Sequence, residues 1–568
     1  MSSPRFPEPP SHQPPTDLAE VDRLVELLSA QKKTWVETSI SERIALLEAC
    51  LETTYQSARD WALTGCQAKG IEAGTSQEGE LWFSGPVVVI RNIRLLIDTL
   101  RAGGSPTVPE WKERADGQKV AQVYPANWYE KMFFPGLTAE VWLEPGKEAT
   151  QGELYRDKAE RTSKDGALCL VLGAGNISSI GPQDALFKLF HEDEVVILKC
   201  NPVNDWAGPH YEKAFAPLVD AGVFQVVYGG AAQGAHLTQH PQVDSIHITG
   251  SDATHDRIVW GPPEEQERRK AENDPVCDKP IGSELGCVTP VIVVPGDWSD
   301  KDLEKQARHV AGMVAHNASF NCNAAKVLVL ASGWALKERF VQKVREILAF
   351  TAPRRAYYPG AEDRYAAFLE AYPGAIPLTE DGEELVPWTV LPDVAAKKGE
   401  YALTNEAFCG VLAELEIEAA TTGEYLEKVG PFCNEEVWGT LSCMVIVDPK
   451  TEAAHKEAFE KLLGELRYGG VAINCWAGVI YGLSSTTWGA FPGHTVDNVV
   501  SGIGYVHNTF MIDHPQKSVI RGPFRPQHKH LWDPTHKTAN LLGPKVCAFE
   551  KSPGFFRLLS LAVGAMRA

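Results

Sequence analysis

Cys322 stands in the run His316-Asn317-Ala318-Ser319-Phe320-Asn321-Cys322-Asn323-Ala324, and Glu284 in Gly282-Ser283-Glu284-Leu285-Gly286, just ahead of the apolar run Pro290 to Val294. A thiol in a small, amide-rich turn is a candidate nucleophile, and a carboxylate in a Gly-flanked turn is a candidate base. Asn176, in Gly173-Ala174-Gly175-Asn176, adds a side-chain N–H donor. Those three groups suit covalent chemistry at a carbonyl. The thiolate attacks, preorganised donors hold the oxyanion, and the carboxylate activates the water that releases the acyl group. A free thiol has a pKa near ~8.5, so the turn must favour the thiolate.

In order and separation these groups resemble the motifs of the aldehyde dehydrogenase superfamily. The family's Asn-x-Gly-x-x-Cys-x-Ala fits at Asn317, Cys322 and Ala324, with Ser319 in place of Gly and Lys326 where Arg is frequent. Glu284-Leu285-Gly286 matches its Glu-Leu-Gly-Gly, with Cys287 for the second Gly, and Asn176 aligns with the Asn of Pro-Trp-Asn, with Ala174-Gly175 before it. Phe491-Pro492-Gly493 and Ser501-Gly502-Ile503-Gly504 resemble later segments of the family, so the likeness runs from about residue 165 to about 510.

A Gly-x-Gly-x-x-Gly dinucleotide turn is not present, because Ser178 stands at its third glycine. The resemblance implies another NAD or NADP site. Thr249-Gly250-Ser251 follows a strand and opens a helix whose N–H groups can meet a phosphate. Gly230, after Gly229, allows close backbone approach at the neighbouring helix start. Lys199 would contact the adenosine ribose, Glu406 the nicotinamide ribose, and Phe408 would pack near the ring; Cys409-Gly410 replaces the usual Gly-Pro. NAD-preferring members carry Glu three residues after the Lys. Here Pro202 stands there, which leans the expectation toward NADP.

The resemblance further implies a fold and a reaction. The fold is α/β, with a parallel-sheet cofactor-binding lobe, a second α/β catalytic lobe and strand arms for oligomerisation into a homodimer or homotetramer. The reaction is oxidation of an aldehyde to a carboxylic acid through a Cys322 thiohemiacetal and thioester. One rival is an acyl-CoA reductase (an acylating aldehyde dehydrogenase); such enzymes commonly lack the Glu that stands here at 284. The other is a non-catalytic scaffold relative, suggested by the departures at Ser319, Cys287 and Cys409.

The elements that must position these groups are legible as alternating apolar runs and helical stretches. Strands are expected at Ala167 to Leu172, Glu194 to Lys199, Phe224 to Tyr228, Ser245 to Ile248, Val288 to Val294 and Val327 to Leu330. Helices are expected from Asp184 to Phe190, Ala207 to Asp220, through Leu237, Lys301 to His316 and Leu336 to Leu348. The alternation implies parallel sheets with helices on their faces. Asp17 to about Leu100 reads as helical, and residues 102 to 118 as a connection.

Four regions follow. Residues 1–18, with six prolines, read as a disordered arm. Residues 19–286 would form the NAD(P)-binding domain, with an oligomerisation strand segment near 124–160. Residues 287–485 would form the catalytic domain, and 486–568 a return segment, oligomerisation arm and apolar C-terminal helix.

Composition sets the outer bounds. The chain has 568 residues and a net charge of -20, which excludes the clustered Lys and Arg of a nucleic-acid binder. Twelve cysteines follow neither a framework nor a Cys-x-x-Cys spacing, so the thiols are read as free, no metal site is expected, and the compartment as reducing and cytoplasmic. Aromatic residues from Trp128 to Phe134 read as a hydrophobic substrate mouth or as a strand and turn buried in a subunit contact. The tail from Phe555 to Val563 reads as an apolar helix, docked on protein or lying on a membrane surface. Both features point to a hydrophobic aldehyde.

Overall fold

The computed structural model describes residues 12–157, 165–382 and 384–565. The expected helical stretch resolves into Leu18–Glu37, Ile40–Ala68, Glu78–Phe83 and Pro86–Arg101. Each boundary has a local cause. Ser39 and Glu42 form a reciprocal capping box, and Pro86 opens its helix where a missing N–H costs nothing.

The first sheet has six strands in the order Gly502–Ile503, Ile281–Glu284, Ser245–Thr249, Ala167–Leu172, Glu194–Lys199, Phe224–Val227. All neighbours are parallel except the first pair. From Ala167–Leu172 the chain adds strands in one direction and then, from Ser245–Thr249, in the other. Ligands of open α/β sheets bind at the carboxyl ends of strands at such a reversal.

The second sheet has eleven strands. Seven parallel neighbours form its centre, in the order Thr389–Val394, Val411–Ile417, Val327–Ala331, Pro290–Val293, Ser442–Ile446, Gly470–Ile473, Pro515–Arg521. Their apolar side chains are buried on both faces, which is why these strands read as continuous hydrophobic runs.

Several expectations are adjusted. Thr138–Leu143, within the segment near 124–160, pairs antiparallel with Pro515–Arg521, and Lys119–Tyr124, ahead of that segment, pairs antiparallel with Thr138–Leu143 in the same sheet. The connection at 102–118 contains a strand, Glu110–Glu113, on that same edge. Trp128–Phe133 is a short helix, not a buried strand: the Asn127 side chain accepts from the Glu130 N–H at 3.0 Å, and Trp128, Met132 and Phe134 are exposed. The helix expected from Asp184 starts at Ile180. The one expected over 207–220 breaks at Phe215, because Pro217 has no N–H to continue it. Residues 1–11 of the expected arm lie outside the described residues, but 12–17 are held: the His12 and Gln13 N–H groups donate to the Asp205 carboxylate, and Thr16 N–H to the Tyr228 carbonyl at 3.1 Å.

The last two helices, Ala539–Lys551 and Phe555–Ala565, pack on the N-terminal helices. Leu558 and Leu561 are buried with Leu542, Val546 and Phe549, while Phe555, Phe556 and Leu559 face outward, Phe556 being 83% exposed. Among the described residues no helix is long and apolar enough to cross a membrane.

Candidate active site

The helix Asp300–Ala315, capped by a Ser299–Asp302 box, delivers the chain to the cysteine turn. There Asn317, Ala318 and Ser319 take φ of +55°, +55° and +68° in succession. Left-handed backbone at non-glycine residues costs of order 1 kcal/mol each, so something must hold it. Ser319 stands where a glycine would carry the least strain.

The holders come from distant segments. The Asn317 N–H donates to Glu80 Oε2 at 3.2 Å, and its Oδ1 accepts from Lys69 Nζ at 2.9 Å and from the Tyr357 hydroxyl at 3.0 Å. Its Nδ2 donates to the Phe320 carbonyl at 3.0 Å. Lys69 also donates to the Asn176 carbonyl at 2.6 Å, which ties the nucleophile turn to the loop after Ala167–Leu172. Burial would raise Glu80, but Arg354, which grips both its oxygens at 2.9 Å, and then His316 hold it down at about 2. Burial pulls Lys69 down to about 7, against the pull of Glu80.

Cys322 and Asn176 line one cavity of about 180 Å³. The Asn176 Nδ2 donates to the Phe320 carbonyl at 2.9 Å. The Cys322 carbonyl accepts from Thr289 Oγ1 and Lys326 Nζ, each at 2.9 Å. Burial pushes the thiol up to about 12, with Glu406 adding to the shift and Lys326 opposing it. The other walls include Phe83, Val87, Trp476, Tyr481 and Trp488. A second cavity of about 280 Å³ shares Phe83, Phe134, Val479, Leu531, Trp532 and Val546 with the first, and reaches Leu558 and Leu561 of the last helix. Arg91 fixes this side of the chamber: it donates to Glu130 at 2.8 Å and to Glu550 at 3.0 Å, joining the helix behind Phe134 to the one that carries Val546.

Glu284 ends its strand opposite Thr249 and is 3% exposed. It stands behind the wall rather than in it. Its Oε1 lies 3.8 Å from His247 Nε2, and that nitrogen lies 3.6 Å from Asp184 Oδ2. Burial raises the Glu284 carboxyl well above its usual range and Asp184 raises it further, against a contact to the Trp488 side chain.

Lys199, Gly230, Thr249, Gly250 and Ser251 lie at or just beyond the carboxyl ends of first-sheet strands, whereas Glu406 and Phe408 lie just ahead of Val411–Ile417 in the second sheet. Lys199 pairs with Leu172 and Val227 in the ladder, next to Gly229–Gly230, and Gly250 follows Thr249. Gly229 has φ +124°, a backbone conformation that residues with a Cβ rarely adopt, so this turn favours glycine. Gly250 is open, since a Cβ would meet nothing closer than Ile248 at 3.6 Å. Four residues are otherwise engaged: Thr249 Oγ1 donates to Asp184 at 3.0 Å, the Ser251 side chain caps its own helix by accepting from Thr254 N–H, Glu406 pairs with Lys326 at 3.1 Å, and Phe408 packs on Tyr358 with ring centroids 5.0 Å apart. Pro202 is buried.

Lys69, Glu80, Tyr357, Asp184 and His247 were not anticipated. His247 had a faint signal, an imidazole in an otherwise apolar strand. The others had none, because their partners lie far away along the chain.

Residues 194–354 match the model of the aldehyde dehydrogenase family. A putative aldehyde dehydrogenase of Staphylococcus aureus (strain USA300) is 30% identical over 163 residues, 28% of this chain and 30% of that protein, so the match spans under a third of that relative's length. The NAD-dependent aldehyde dehydrogenase from Sinorhizobium meliloti has a similar structure, with a TM-score of 0.61 at 17% identity over 93% of this chain and 92% of that one. The NADP-dependent glyceraldehyde-3-phosphate dehydrogenase from Bacillus halodurans, solved with NADP, gives 0.58 at 17% identity over 89% and 92%. At that identity the likeness is one of fold.

Proposed function

We propose that this chain is an enzyme of the aldehyde dehydrogenase type that oxidises an aldehyde with an apolar tail to the carboxylic acid, with NAD or NADP as oxidant; the match of residues 194–354 to the family model supports that reading. One observation carries the reading. Cys322 and Asn176 face an apolar chamber that continues to the C-terminal helix.

The Cys322 thiolate attacks the aldehyde carbon. The oxyanion is held by the Asn176 amide, once it turns from the Phe320 carbonyl, and by a backbone N–H of the cysteine turn. The bound nicotinamide supplies the acceptor for the hydride. Lys199, Gly230, Thr249, Gly250 and Ser251 would hold the nucleotide at the sheet edge, and Glu406 and Phe408 its nicotinamide end. Glu284 then draws a proton from water, which splits the thioester. A carboxylate at this position supports hydrolysis over transfer to coenzyme A. Retention of the thiol, amide and carboxylate together supports an enzyme over a scaffold.

Around the outer end of the chamber Trp128, Met132, Phe134, Phe555, Phe556 and Leu559 are exposed. That apolar rim supports peripheral contact with a membrane surface, from which a lipophilic aldehyde enters. The chain acts in the cytoplasm as a homodimer or homotetramer in this reading.

Chain length is the test. Burial of a methylene is worth about 0.8 kcal/mol, roughly fourfold in kcat/KM. A straight-chain aldehyde series assayed with each cofactor should show kcat/KM climbing by about that factor per carbon until the chamber is filled. A flat series, or a preference for charged short aldehydes, contradicts the reading.

A further inference from the structure

Lys326 stands just ahead of the strand Val327–Ala331, and its side chain turns back onto the loop that carries Cys322. Its Nζ donates to the carbonyls of Asn321 and Cys322, each at 2.9 Å, and lies 3.1 Å from Glu406 Oε1. The two side chains are 3% and 2% exposed. Glu406 comes from a different segment, between the helix Tyr401–Thr404 and the strand Val411–Ile417. The ammonium approaches Oε1 without hydrogen-bond alignment, so that buried oxygen keeps room for a hydroxyl donor.

We propose that Lys326 is a positioning residue that couples the nicotinamide-ribose end of the cofactor site to the nucleophile: when ribose hydroxyls take up Glu406, the charge of Lys326 is released to favour the Cys322 thiolate. The proposal rests on the reading of Cys322 and Glu406 given above. A buried carboxylate beside a thiol disfavours the thiolate, and a buried ammonium favours it. Glu406 and Lys326 act on Cys322 in those opposite senses. While the pair faces inward on itself, the two effects offset each other at the sulfur. Hydroxyls that donate to Glu406 spread its negative charge. Lys326 cannot follow the carboxylate, because two carbonyls of the cysteine turn hold it in place. The sulfur is then left with a net positive neighbour.

Other groups face the same three residues. Cys322 also feels Glu284 and Cys287, and Tyr481 stands on its chamber side. Lys326 acts on Cys287 and Cys409 as well. Asp252, Tyr358 and Arg364 lie around Glu406, which also accepts from the Cys287 backbone. These groups set the background on which the pair acts, and the variants below leave them in place.

Alkylation by iodoacetamide, read as the mass of the Cys322 peptide between about pH 7 and pH 10, follows the thiolate fraction. In the cofactor-free protein Glu406→Gln should alkylate about tenfold faster than the parent, because the amide removes the negative charge and leaves Lys326 unopposed. Adding Lys326→Met to that variant should abolish the gain. Lys326→Arg alone, which keeps the charge, should stay close to the parent. NADH or NADPH supplies the ribose without the positive charge of the oxidised ring. At saturation, fixed by calorimetry, it should speed alkylation of the parent more than that of Glu406→Gln, whose cation is already released. Shielding of the thiol by the cofactor enters both ratios alike, and thermal melts check that each variant folds. Glu406→Gln at the parent rate overturns the proposal. So does a double variant that keeps the gain, which would mean easier access to the thiol, and so do equal ratios with reduced cofactor. If aldehyde oxidation survives complete alkylation of Cys322, the reading of that residue as the nucleophile falls and the proposal with it. If oxidation is lost on alkylation but the variant rates do not differ, the proposal alone falls.

Discussion

Lys69 places its ammonium 2.9 Å from Asn317 Oδ1, joining the second helix of the chain to the strained turn that presents Cys322. The same nitrogen holds the Asn176 carbonyl. One buried cation therefore fixes the spacing between the thiol and the amide expected to hold the oxyanion.

Lys69→Met should lower kcat at least tenfold. Leaving buried acceptors short of a partner costs about 1–3 kcal/mol, but removing a buried charge offsets part of that in the melt. The pH dependence has a defined sign. Lys69 is depressed to about 7 in the fold, so between that pH and its unfolded value the unfolded chain binds the extra proton, and stability rises with pH. The difference in Tm between parent and variant should change in the parent's favour on going from pH 7 to pH 10. A constant difference would mean that Lys69 keeps its ordinary pKa.

Cys322 is a thiol at neutral pH when no cofactor is bound, because burial holds it up at about 12. Alkylation by iodoacetamide should be slow at pH 7 and should climb with pH without a plateau below about pH 10. A positively charged nicotinamide beside the sulfur should speed the reaction at pH 7. A plateau near pH 8 in the free protein would contradict the burial of the thiol.

Glu80 and Arg354 form a largely shielded pair that also carries the Asn317 N–H. Glu80→Gln should destabilise the protein by about 1–3 kcal/mol, because it leaves a largely shielded guanidinium without its counter-charge. Because the folded carboxyl sits near 2, its contribution is present above the unfolded carboxylate range and is lost as pH falls through about 4 toward 2. The Tm difference between parent and variant should therefore shrink in acid.

Much of the scaffold was legible in the sequence. Ala167–Leu172 and Glu194–Lys199 have the bounds expected, because each is an apolar run closed by glycine or charge. Trp128–Phe133 was misread because a short aromatic run has no clear period, although Asn127 ahead of it was a usable cap signal. Cys322, Asn176 and Glu284 could be read because their chemistry sits in local motifs. Lys69, Glu80 and Tyr357 could not, since they act on Asn317 from 40 to 248 residues away.

Phe556→Asp should leave the melt and the oxidation of dissolved short aldehydes unchanged, because that side chain is exposed. It should abolish co-sedimentation with phospholipid vesicles. Unaltered co-sedimentation would remove the membrane contact from the account, and loss of oligomeric mass in the variant would assign the face to a second copy of the chain.

The most direct test of the central claim is the mass of a trapped intermediate. Glu284→Gln, mixed with a medium-chain aldehyde and NAD or NADP and quenched in acid, should form about one reduced cofactor per chain and gain the mass of the aldehyde less two hydrogens. Peptide mapping should place that acyl group on Cys322 as a thioester. Reduced cofactor formed without an adduct, or an adduct on any other cysteine, would contradict the assignment of Cys322 as the nucleophile and of Glu284 as the base that releases the acid.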